Sequence, residues 1–129
     1  MIKVIDMFIA ENERIGSCYL EFQFCKSDVP IKNNSVDIDI IEHWQNDSLL
    51  ISDENFGDFY KSYSTVFNCA LLANGETGFD WYGPNYYSKA VTEKVFQKLN
   101  KELDDEYENL ILWLEKAADK DNGFYILGI

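Results

Sequence analysis

The chain has 129 residues, 47% of them hydrophobic and 16% aromatic, with 23 acidic side chains against 11 basic ones and a formal net charge of −12. That length suits one domain, residues 1–129, and the apolar content exceeds what a disordered acidic chain carries. The charge disfavours nucleic-acid backbones and anionic membranes, which repel a negative surface, and it favours a basic partner.

Residues 2–10 and 17–25 have strand character and flank the polar stretch Glu11-Asn12-Glu13-Arg14. In the second, Cys18, Leu20, Phe22 and Phe24 alternate with Tyr19, Glu21, Gln23 and Cys25, the period of a half-buried strand. An antiparallel N-terminal hairpin is the natural pairing. The segment is too acidic at Asp6 and too short for a secretory signal, and no run approaches the ~20 apolar residues of a membrane span. Cys18, Cys25 and Cys69 are odd in number, lack metal spacing, and read as small core residues of a reducing compartment. The expected location is the cytoplasm.

Residues 26–34, with Pro30 and Asn33-Asn34, form a loop. Val36, Ile38 and Ile40 then alternate with Asp37 and Asp39, which predicts a strand followed by a turn, although Ile38, Ile41 and Trp44 also step at helical spacing. From Asp53 the period lengthens. Phe56, Phe59, Tyr60, Tyr63 and Phe67 mark one face of a middle helix, with Ser52 or Asp53 available as its cap. Asn74-Gly75 signals a turn, and a hairpin is expected around residues 74–78.

Val91, Val95, Phe96, Leu99, Leu103, Tyr107, Leu110, Ile111, Leu114 and Ala118 hold one helical phase across residues 88–118. One rod of that length would extend about 45 Å. A break at Leu103–Asp105 suits a compact domain better, with Asp105 and Glu108 at capping-box spacing. Asn122-Gly123 stops the helix, and Phe124-Tyr125-Ile126-Leu127 reads as a closing strand. The fold class is therefore α+β with a mostly antiparallel sheet.

Chemistry-bearing motifs are sparse. His43, the single histidine, lies outside any recognised nucleophile frame. Asp37 and Asp39, and the cluster Asp104-Asp105-Glu106, lack the glycine and terminal glutamate of a calcium loop and read as solvated strand face and helix start. No phosphate-cradling glycine motif is present, so no catalytic residue, metal or cofactor is assigned. Lys89, Lys94, Lys98 and Lys101 follow one helical region among acids and read as ordinary surface pairs.

The densest feature is residues 79–88, where Phe79, Trp81, Tyr82, Tyr86 and Tyr87 surround Gly83-Pro84-Asn85. Alternation sends Asp80 and Tyr82 to one face and Phe79 and Trp81 to the other. Tyrosine beside carboxylates suits an interface that grips arginine and lysine.

With its aromatic turn Trp81–Ser88, the Trp113-Leu114-Glu115 segment and the terminal Phe124–Ile129, the chain resembles the immunity proteins of bacterial toxin systems, including contact-dependent growth inhibition. The resemblance implies inhibition of a basic toxin, such as a nuclease, by occlusion and without chemistry. On that reading Glu76, Asp80, Asp104, Asp105, Glu106 and Glu108 supply charge, while Tyr82 and Tyr86 serve as anchors. The alternatives are a nucleic-acid mimic or other acidic regulator, or a small enzyme with an unrecognised site.

Overall fold

The computed structural model describes residues 8–16, 18–101 and 108–128. Its centre is a seven-stranded sheet in the order β1-β5-β2-β9-β8-β6-β7. The strands are β1 (Phe8–Ala10), β2 (Tyr19–Phe24), β5 (Leu49–Ser52), β6 (Ala70–Leu72), β7 (Thr77–Gly78), β8 (Asn85–Tyr87) and β9 (Phe124–Leu127). Every neighbouring pair is antiparallel. A separate hairpin joins β3 (Ile31–Lys32) to β4 (Ser35–Val36). Its turn residues Asn33 and Asn34 both adopt positive φ, which asparagine tolerates and two-residue hairpins require.

The expected pairing of the first two strands is corrected. β5 lies between β1 and β2, with Phe8 opposite Ile51 and Leu20 opposite the same residue. A local turn favours a hairpin, but the apolar run Leu49-Leu50-Ile51 gains two partners and complete burial of Leu50 and Ile51 by inserting there. The expected strand at residues 36–40 is likewise shorter. It ends at Val36, and Ile38–Ile40 form a 3-10 turn in which the Asp37 carboxylate accepts from the Asp39 amide.

Helix α1 (Phe56–Phe67) matches the predicted middle helix, but a 3-10 turn at Asp53–Asn55 precedes it and Ser52 makes no side-chain cap. The long C-terminal helical phase resolves into α2 (Lys89–Lys101) and α3 (Glu108–Asp119), which pack on each other and on the sheet. The expected capping-box residue Asp105 lies outside the described residues. At the start of α2, Ser88 accepts from the Val91 amide, and buried Thr92 donates back to the Ser88 carbonyl.

One sheet face buries Leu20, Phe22, Phe24, Ile51, Tyr87, Phe124 and Ile126 against α1, α2 and α3. Phe22, wholly buried, meets Phe8, Phe59, Phe67 and Trp113 edge-on and stacks parallel to Phe124. Such geometry adds about 0.5–1.5 kcal/mol per aromatic pair beyond area burial. The other face is covered by the irregular segment of residues 25–48, through a smaller cluster of Cys25, Val36, Tyr86, Tyr125 and Leu127 with Ile41 and Leu71. All of β2 is therefore buried, on both faces.

The cysteines divide. Cys25 is core, Cys69 is half-buried and Cys18 is exposed, so Cys18 departs from the expected core role. No helix among the described residues is long and apolar enough to cross a membrane.

Candidate functional site

The segment over the second face is organised by a side chain that alternation places toward solvent. Glu21 is fully buried in β2, and its carboxylate accepts from the backbone amides of Trp44 (2.8 and 2.9 Å) and Gln45 (3.1 Å). It also accepts from the Ser48 hydroxyl (2.6 Å) and the Gln23 amide (3.1 Å). The fixed negative charge is thus surrounded by donors, the condition under which a buried carboxylate is tolerated. Trp44 has φ +65°, a conformation costly for a bulky residue, and its amide points at the carboxylate that holds it there. Arg14, the only arginine, lies over the Trp44 ring at 4.3 Å and closes this corner.

The same carboxylate reaches the surface through His43, whose Nδ1 lies 3.2 Å from Glu21 Oε1. A carboxylate accepts only, so Nδ1 carries a proton and donates to it, and Nε2 is left facing the cleft side. The His43 side chain is 51% exposed and lines a cleft of about 140 Å³ with Ile38, Ile41, Tyr82, Gly83, Pro84, Leu127 and Gly128.

The opposite wall of that cleft is the aromatic turn, fixed from below by buried Asn85. Its side chain accepts from the Asp80 amide (2.7 Å) and donates to the carbonyls of Asp80 (2.8 Å) and Ile126 (2.9 Å). Asp80 accepts in turn from the Tyr82 amide (2.9 Å). Gly83 has φ +37°, and a Cβ there would come within 2.6 Å of the Gly128 nitrogen, so backbone approach demands glycine. As the alternation predicts, Phe79 and Trp81 turn inward against the α1 aromatics, while Tyr82 is 75% exposed.

The sequence-derived site residues fare differently. Tyr82 lines the cleft, and Asp80 joins it through the turn by accepting from the Tyr82 amide. Tyr86 does not join them: it is 4% exposed, packs on Tyr125 and donates its hydroxyl to the Asn122 carbonyl at 2.8 Å. Tyr87 is also buried, donating to the Phe67 carbonyl at 2.5 Å. Both hydroxyls find distant backbone partners, which removes the reason for expecting them at the surface. Glu76 is exposed in the β6–β7 turn, where its amide donates to Asn74. Asp104, Asp105 and Glu106 lie outside the described residues, and Glu108 is placed only as the first residue of α3.

Beside the cleft, Ile38 and Ile40 are 57% and 44% exposed, and Asp37, Asp39 and Glu42 flank them in the chain. Tyr82 and Ile38 share the cleft lining, with acidic residues close to both in the chain. Sequence reading noted Asp37 and Asp39 only as candidate metal ligands. Among the described residues no group of three or more histidine, cysteine or acidic side chains is gathered for a metal. The cleft lining contains a carboxylate-oriented imidazole but no serine, threonine or cysteine.

A scan against protein-family models and searches of curated proteins and of solved structures return no significant match to this chain.

Proposed function

We propose that this chain is an immunity-type binding protein that captures a basic protein partner, a toxin domain, and neutralises it by covering its surface. The observation that carries this reading is the exposed apolar pair Tyr82 and Ile38 sharing one cleft, with Asp37, Asp39, Glu42 and Asp80 each within two residues of a cleft-lining position on a chain of net charge −12. An aromatic anchor within a charged rim is the usual anatomy of an energetic interface centre.

Charge placement supports the same reading. The α2 lysines 89, 94, 98 and 101 are exposed on the helical layer and make no ion pair among the described residues. They lie across the sheet from the 37–42 acids, which therefore keep their field. A basic toxin approaching that face would be steered toward it, raising the association rate well above the ordinary ~10⁵–10⁶ M⁻¹s⁻¹ at low salt.

The test has two parts. Tagged protein is used to capture partners at low and high salt, and the recovered basic partner is expressed alone and with this chain in a sensitive host. Toxicity rescued by co-expression, together with an association rate that falls at least tenfold in the double reversal Asp39→Lys/Glu42→Lys, is the expected result. A partner whose toxicity is unrelieved, or whose association ignores both salt and the reversal, overturns the reading.

A further inference from the structure

We propose that the cleft between His43 and Tyr82 is an arginine socket, receiving one guanidinium side chain from the bound partner. This deepens the binding role proposed above and rests on it for the source of the arginine.

The cleft holds about 140 Å³, room for one long side chain and well below the ~300 Å³ at which small-molecule pockets begin. Ile38, Ile41, Pro84 and Leu127 give it apolar walls suited to the methylene stem of a long basic side chain. Tyr82 offers an open ring face on which a planar guanidinium stacks. At the other side, Glu21 accepts a hydrogen bond from His43 Nδ1, and Nε2 has no hydrogen-bond partner among the described residues. In the neutral ring that nitrogen is an acceptor whose orientation is already set. Both walls are thus built before the ligand arrives, His43 by Glu21 and Tyr82 by the Asp80–Asn85 turn.

Charge selects the ligand. The buried Glu21 carboxylate behind the imidazole and Asp80 beneath Tyr82 disfavour an anion and favour a cation. A guanidinium satisfies stacking and acceptor together, whereas an ammonium ion lacks the planar face. The chain already uses this chemistry once, where Arg14 covers Trp44.

His43 is the only histidine, so its ring signals report the cleft without ambiguity. The full-length protein at about pH 8 is titrated with acetyl-Gly-Arg-Gly-amide and with the citrulline analogue, followed by NMR of the imidazole protons. Saturable shifts with the arginine peptide are expected, at least tenfold weaker with citrulline, and abolished in Tyr82→Ala. Because Tyr82 is largely exposed, that variant keeps the fold, which the unchanged dispersion of core methyl signals verifies. Equal response to both peptides, a non-saturating response, or persistence of saturation in Tyr82→Ala overturns the socket. If the socket fails while a toxic partner is still captured in a salt-dependent way, the binding role stands without it; if both fail, that role falls too.

Discussion

Replacing Glu21 by Ala removes the one acceptor on which the 42–48 segment converges. The Trp44 and Gln45 amides and the Ser48 hydroxyl all lose their partner. A buried donor left unsatisfied costs about 1–3 kcal/mol, and the lower half of that range applies because Trp44 and Gln45 are only partly buried and water can reach them. Release of Trp44 from its left-handed conformation returns about 1 kcal/mol. The expected net loss is about 3 kcal/mol, a fall in Tm of about 10 °C for a domain of this size. Glu21→Gln keeps one oxygen, which can occupy the Oε2 position where Trp44, Gln45 and Ser48 meet, and it loses the charge assistance and the acceptor facing His43 Nδ1, together about 1–2 kcal/mol. Urea denaturation measures both values, and amide hydrogen exchange locates them. Trp44 and Gln45 exchange faster in Glu21→Ala, while Phe22 and Ile126 slow or quicken only with global stability. If both variants match the parent within about 0.5 kcal/mol and leave the Trp44 amide protected, the carboxylate does not hold this segment.

Two further outcomes follow from the core. Burial, with the Cys25 thiol nearby, pushes the Tyr86 phenol up to about 12 and raises Tyr125 and Tyr87 as well. The unfolded chain releases tyrosine protons near pH 10, so between about pH 10 and 12 the folded state binds more protons than the unfolded one, and stability falls as pH rises. Denaturation midpoints at pH 9 and 11 should differ accordingly, with a shallower fall in Tyr86→Phe; a flat profile refutes it. Gly123 has φ +88°, and a Cβ there would collide with the Tyr87 carbonyl. Gly123→Ala should therefore cost at least about 3 kcal/mol, combining left-handed strain with displacement of β8 from β9, and a chemical melt close to that of the parent would contradict it.

What the sequence made legible were the features written in local periodicity. The alternation of Leu20, Phe22 and Phe24 located β2, and the helical phase from Val91 to Ala118 located the helical segment that forms α2 and α3, the break between them being expected from domain size and not from the phase. Non-local features were opaque. Leu49-Leu50-Ile51 is too short to declare itself, and only its insertion between β1 and β2 makes it a strand. Glu21 alternates as a solvent-facing residue would, yet a third layer covers that face, and no spacing in the chain announces such a cover. The candidate site was half visible: Tyr82 and Asp80 were singled out, and His43 was noted as the lone titrating side chain. The meeting of His43 and Tyr82 in one cleft joins residues about 40 positions apart through β9, a relation that periodicity does not carry.

The position of β9 also bears on how the molecule is made. It is C-terminal to every other described strand, yet it lies between β2 and β8, with Leu127 opposite Glu21 and Phe124 opposite Tyr87. During synthesis the strands β1, β5 and β2 on one side, and β8, β6 and β7 on the other, have no edge in common until β9 leaves the ribosome. Each half must wait with an open edge, and completion requires closing a loop of about a hundred residues, a topology that folds slowly. The cleft, which Leu127 lines, is therefore complete only once β9 has paired with both halves.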